Sequence, residues 1–293
     1  NYYSILIFFF KIYLTDNKEL IVREVKNLLP PIELPREIDE RLPQIPFVCS
    51  LIQKVRSGKS NLIANLLLGE AFYGGQTPIF DMIYIISPTA KIDRTSQVYF
   101  KKEYEDRIVI FDDVEHLDPY IKNILDYQQQ FDINAEDPDD RPPLIALVLD
   151  DISGYLKRSK ITQHLFTRYR HYGIGGIFVA NQTCRDLPTQ VRSMSTAVIL
   201  SNCYSVMERQ KINEEWGDTF RNRLEPVWTE CCKERFNYCY LQLDADVPKI
   251  YRIGKDPIAE IDYMKFGEIL PDQIKKLKSN DTDNMNLPEI NKK

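Results

Sequence analysis

The chain has 293 residues, enough for one large domain or two small ones at roughly 150 residues per domain. Apolar side chains make up 43%, and with the 11 glycines the composition reaches the ordinary range for a protein that buries a core, which excludes a wholly disordered chain. The 38 basic and 43 acidic residues leave a net charge of −5, which excludes a protein that coats nucleic acid with its whole surface and confines any such contact to a local patch.

In chain order, the first feature is the apolar run Tyr2 to Phe10. Lys11 interrupts it well short of the roughly 18 residues that a membrane-crossing helix needs, so no membrane span is expected. No basic start precedes it and no small-residue cleavage site follows, which argues against a secretory signal; it reads as an edge strand or as an upstream extension of the reading frame. Residues 15 to 46 are polar and carry Pro30, Pro31, Pro35, Pro43 and Pro46, so residues 1–46 together read as an N-terminal arm that wraps a core.

The regular pattern starts at Phe47. Phe47 to Ile52 predicts a strand, a polar turn follows, and Asn61 to Leu68 predicts a helix closed by Gly69. Further buried strands are predicted at Met82 to Ser87, Ile108 to Phe111, Leu144 to Leu149, Gly176 to Ala180 and Ala197 to Leu200, with helices between most of them. Apolar runs alternating with helices indicate an α/β fold whose mainly parallel central sheet is covered on both faces. Tyr238 to Leu243 and Lys249 to Ile253 flank a polar turn and predict an antiparallel hairpin at the sheet edge. The core domain is thus expected over 47–254, followed by a C-terminal segment, 255–293, whose polar tail from about Lys275 is expected to be disordered. The six cysteines form no regular framework and read as reduced core residues rather than disulfides or a zinc site.

Between the first strand and first helix lies Gln53-Lys54-Val55-Arg56-Ser57-Gly58-Lys59-Ser60, which meets the phosphate-loop pattern at every specified position but the first, where glutamine replaces glycine. The spacing has a chemical reason. Backbone N–H groups at the helix start, through Asn61, converge on anionic oxygens; Gly58 allows close approach, Lys59 meets the β and γ phosphates, and the Ser60 hydroxyl can ligate magnesium. ATP and Mg2+ are therefore the expected ligands. A glycine at position 53 would ease a tight turn, so Gln53 predicts either a tolerant loop or weaker binding.

A second signal is Leu144 to Leu149 running into Asp150 and Asp151. A fully apolar strand that delivers two acids at its C-terminal end suits Asp150 as a magnesium ligand and Asp151 as the carboxylate that orients or deprotonates attacking water. Asp112 and Asp113, after a shorter strand, form a weaker competing pair. Gly176 to Ala180 ends in Asn181 and Gln182, and an amide there can donate and accept at once, as a γ-phosphate or water sensor must.

Taken together, Arg56-Ser57-Gly58-Lys59-Ser60, Leu147-Val148-Leu149-Asp150-Asp151, Arg168-Tyr169-Arg170-His171 and Val179-Ala180-Asn181-Gln182, with Leu187-Pro188 and Val191-Arg192 after them, resemble the DNA-packaging ATPases of the FtsK/HerA superfamily, in particular the poxvirus-like branch of large DNA viruses and virophages. The resemblance spans about residues 45 to 205. It implies a P-loop NTPase fold and an ATP-driven, homo-oligomeric ring that moves double-stranded DNA into a capsid built of viral capsid proteins, in host cytoplasm, viral factory or virion. It also implies an arginine finger, for which Arg192 and Arg170 are the candidates. The second acid, Asp151, stands where wider superfamily members often carry glutamate.

Between Leu156 and His171 five basic residues, Lys157, Arg158, Lys160, Arg168 and Arg170, occur with no acidic one. Repeated around a ring, such a segment could meet the phosphate backbone of DNA without reading sequence; the alternative is a solvated helix face. Two other functional classes stay open at this point. One is a P-loop nucleotide or small-molecule kinase, and the other is a degenerate nucleotide-binding scaffold subunit, as Gln53 suggests.

Overall fold

In the computed structural model residues 34–274 are described, apart from 133, 134, 136, 138, 139 and 204 and the side chain of Phe100. The expectations for the Tyr2 to Phe10 run, the first part of the arm and the tail from 275 onward lie outside the described residues. The chain divides into two compact units, 1–33 and 34–293, and every described residue belongs to the second.

The predicted strands appear as β1 (Phe47–Ile52), β2 (Met82–Ile86), β3 (Ile108–Phe111), β4 (Ile145–Asp150), β5 (Ile174–Asn181), β6 (Ala197–Leu200), β7 (Asn237–Gln242) and β8 (Lys249–Gly254), joined by a short β9 (Ala259–Glu260). They form one nine-stranded sheet in the order β3-β2-β4-β5-β1-β6-β7-β8-β9. The pairings from β3 across to β6 are parallel, and those from β6 to β9 antiparallel. The sheet is therefore mainly parallel with an edge hairpin, as expected for the α/β class.

The helices are α1 (Lys59–Leu68), α2 (Leu117–Gln128), α3 (Ser153–Leu156), α4 (Lys160–Arg168), α5 (Thr189–Met194), α6 (Val206–Trp216) and α7 (Leu224–Cys231). The β2–β3 connection departs from the expected alternation: it holds only 3-10 turns, Thr95–Phe100 and Lys102–Tyr104. Both faces of the sheet are covered, which is why its strands are apolar without alternation. Val48 and Ile52 of β1 enter a core with Leu165 of α4 and Ile212 of α6, whereas Phe47, Cys49 and Leu51 enter a second core with Leu62, Leu66 and Leu67 of α1. Leu42 of the arm is buried in this second core.

Register places the site. In β5, Gly176 sits opposite Phe47 and Asn181 opposite Ile52, while Ala180 sits opposite Asp150 of β4. A side chain at Gly176 would bring its Cβ to 2.7 Å from Phe47 Cζ, so glycine lets that ring lie over β5. The C-terminal ends of β1, β5 and β4 thus finish level with one another. Strand β5 lies between β1 and β4, and carries Asn181 and Gln182 to the gap between the loop and the acids.

A lysine bridged to two carboxylates beneath an uncapped helix

The loop after β1 is tied down at both ends. Gln53 N–H donates to Asn181 O at 2.9 Å, Lys54 N–H to Ser201 Oγ at 3.1 Å, and Ser57 N–H to Lys54 O at 3.2 Å. From β7, the Tyr238 hydroxyl donates to Ser57 O at 2.8 Å. Burial pushes the Tyr238 pKa up to about 12, so the phenol stays a donor at neutral pH. Two residues adopt left-handed backbone, Arg56 at φ 62° and Gly58 at φ 95°. Gly58 has no substitute: a Cβ there would come within 2.6 Å of the Tyr238 hydroxyl. Gln53 is not among the left-handed residues, so its replacement of glycine costs no backbone strain there.

Helix α1 starts with no side-chain cap and no acidic residue in its first turn. The N–H groups of its first turn have no partner within the helix and carry its positive dipole end, which makes an anion site. They open on a cavity of about 360 Å3 lined by Gln53 to Arg56, Gly58 to Asn61, Asp93, Thr95, Asp151 and Gln182. The Gln53 side chain is wholly buried in the wall, its amide atoms without a partner, and Ser57 Oγ is likewise buried and unpartnered. Orphaned polar groups beside an uncapped helix start fit a polyanion. Gln53 does not fill the cradle.

Lys59 ties the two halves of the site together. Its Nζ lies 2.8 Å from Asp150 Oδ1 and 2.6 Å from Asp151 Oδ1. Asp151 is itself left-handed at φ 54°, a conformation that aspartate tolerates better than most residues, and its N–H is fastened to Ala180 O at 2.9 Å. Asp150 is the deeper acid, and Ser87 Oγ at the end of β2 donates to its Oδ2 at 3.2 Å. Burial raises the Asp150 pKa above the ordinary carboxylate value, against the opposing pull of Lys59. The competing pair plays other roles: Asp112 pairs with exposed Lys91 at 2.8 Å, and Asp113 caps the turn Val114–His116 and contacts His116 Nδ1 at 2.7 Å.

Magnesium commonly takes one or two protein ligands and completes its shell with phosphate and water. Ser60, at the cavity, and Asp150, held on one oxygen by Ser87 with the other toward Lys59, fit that pattern. Among the described residues no group of three or more His, Cys, Asp or Glu side chains forms a metal cage of its own. The sequence signals had not singled out Ser87, Asp93, Thr95 or Tyr238. Ser87 offered the same sign that drew attention to Gln182, a polar residue ending an apolar strand; Tyr238 offered none beyond its place in a hairpin.

The arginine candidates differ in availability. Arg192 is engaged within its own chain, with Nε donating to Glu215 Oε2 at 2.9 Å and the guanidinium also to Leu187 O and Thr189 Oγ1. Arg170 is exposed beside the Tyr169 ring at the N-terminal end of β5, across the sheet from the loop. The basic segment is divided by α4. Lys157, Arg158 and Lys160 lie exposed where the chain leaves Asp151, while exposed Arg168 lies at the far end of the helix, about 12 Å along its axis from Lys160. Lys157 contacts Asp186 at 3.7 Å, and Arg158 donates to Gly154 O at 3.0 Å.

No protein-family model and no curated protein matches the chain. Solved structures do. The chain is similar to the genome packaging NTPase B204 from Sulfolobus turreted icosahedral virus 2 in complex with ATP-gammaS, at 14% identity and TM-score 0.45, over 70% of this chain and 95% of that one. It is similar to the pCW3 conjugation coupling protein TcpA with ATPgS, at 13% identity and TM-score 0.49, over 80% and 65%. A further likeness is to the cytoplasmic domain of the Thermomonospora curvata Type VII secretion ATPase EccC, at 16% identity and TM-score 0.47, over 79% and 28%.

Proposed function

We propose that this chain is an ATP-hydrolysing motor that translocates double-stranded DNA into a viral capsid during virion assembly. The observation that carries the catalytic part is Lys59 held between Asp150 and Asp151 at the uncapped start of α1, with Gln182 on the same cavity. In this reading the first-turn N–H groups of α1 and Lys59 bind the phosphates. Ser60 and Asp150 would hold magnesium, which supplies charge neutralisation on the transferring phosphoryl group. Asp151, the more accessible acid, orients the attacking water and accepts its proton, and Gln182 holds that water or the γ phosphate.

The DNA part rests on the sequence resemblance and on Lys157, Arg158 and Lys160, exposed directly after the acid strand. A homo-oligomeric ring would bring this segment to a common pore and an arginine to the neighbouring nucleotide. Arg170 suits that role better than Arg192, whose guanidinium is already engaged. Capsid proteins are then the partners, and host cytoplasm, viral factory or virion the setting.

The test is ATP turnover by the full chain with and without double-stranded DNA. Turnover should rise with DNA and fall by about 10²-fold or more in Lys59→Ala, the scale of losing one preorganised charge. Turnover that depends on a small phosphoryl acceptor would instead identify a kinase, and none under any condition a scaffold.

A further inference from the structure

The phosphate cavity has a direction. Lys59, Asp150, Asp151 and Gln182 mark its γ-phosphate end, so the nucleoside must leave on the other side of the loop. A cavity of about 480 Å3 borders the same backbone at Gly58 and Asn61, has none of Lys59, Asp150, Asp151 and Gln182 in its lining, and continues to Asn65, Phe72, Phe236 and Lys255. Among the described residues lining it none is acidic, and its volume lies within the range of small-molecule sites.

Phe236 is the unusual member. It sits on left-handed backbone at φ 69°, which an aromatic residue adopts only when its surroundings impose it, and such strain gathers at functional sites. The residue is 43% exposed, so burial does not explain the conformation. The ring edge lies about one contact from Gly58, where a Cβ would meet Cδ1 at 3.0 Å, and the Arg235 guanidinium is 4.6 Å from the ring centroid. A strained, half-exposed aromatic is thus presented beside the phosphate loop.

Building on the phosphate-loop reading, we infer that Phe236 is the platform on which the purine base of the bound nucleotide stacks, with the nucleoside held in the cavity between α1 and the β7–β8 hairpin. A third cavity that Phe236 also lines carries five charged residues, Lys54, Arg56, Lys233, Glu234 and Arg235, against Lys255 alone in the chosen one, and suits a base less well. Asn61 and Asn65 both line the chosen cavity, and Asn65 Nδ2 is held there by donating to the Asn61 backbone oxygen at 2.7 Å.

The experiment compares equilibrium binding of ATP and of inorganic tripolyphosphate, both with magnesium, to the full chain. Phe236→Ala should weaken ATP about tenfold or more and leave tripolyphosphate unchanged, since a stacked base is what it loses. Phe236→Trp should restore ATP binding, and its indole emission should be quenched by ATP and not by tripolyphosphate. Equal losses for both ligands would show that the ring only props the loop, and no loss for either would show that the base lies elsewhere; each overturns the assignment. Wild-type binding of tripolyphosphate but not of ATP would overturn it alone. Binding of neither would remove the phosphate-loop reading and this one with it.

Discussion

Asp150 carries a charge that its surroundings disfavour, because burial there outweighs the attraction of Lys59. Its carboxyl keeps its proton to higher pH in the folded chain than in the unfolded one. The stability it contributes is therefore full below the ordinary value of 3.8 and is lost as pH rises through the elevated folded value. Asp150→Asn should accordingly unfold at a higher temperature than wild type at pH 7, with the advantage vanishing below pH 3.8, as scanning calorimetry across pH would show. A variant less stable than wild type at pH 7 would mean that the Lys59 pairing dominates. At this scale residue type and position alone marked out Lys59 and favoured Asp150 and Asp151 over Asp112 and Asp113, but did not show the contact between the lysine and the acids. Gln53 was not legible, because a phosphate-loop pattern records which residue is usual and not the φ that it needs. Here the left-handed positions fall at Arg56 and Gly58.

Among the elements, β5 and the β7–β8 hairpin matter most. Strand β5 holds Gln53 through Asn181 O and Asp151 through Ala180 O, so the loop and the acid pair are both fastened to one buried strand. The hairpin supplies Tyr238 against Ser57. The strands were legible because burial on both faces demands continuous apolar runs. Two-residue β9 and the 3-10 turns between β2 and β3 were not, since neither is long enough to show a period. Helix α4 separates the basic residues, leaving Lys157, Arg158 and Lys160 at the site end of the sheet. Changing these three together to alanine should lower the ratio of DNA-stimulated to basal turnover and flatten its salt dependence, in proportion to the phosphate contacts removed. An unchanged ratio and slope in a salt titration would place DNA elsewhere.

At the scale of the whole molecule, the loop and its acids share one edge of the sheet, while Arg170 stands at the other. In the proposed ring, an arginine so placed would reach a neighbour's site and not its own. Mixing Lys59→Ala subunits with Arg170→Ala subunits should give more turnover than the two preparations measured apart, because some interfaces then join an intact loop to an intact arginine. A full-strength Arg170→Ala preparation would remove Arg170 from this role. The sequence by itself determined the α/β class, the strands and the polar loop that joins β1 to α1, since all three are written in contiguous residues through burial, periodicity and spacing. Only the tertiary structure decided that Asp150 and Asp151, and not Asp112 and Asp113, meet Lys59, that β5 stands between loop and acids, and that Tyr238 and Phe236 close on Gly58. The reason is strand order: which chain ends become neighbours follows from how distant segments pair in the sheet, and local pattern carries no record of that pairing.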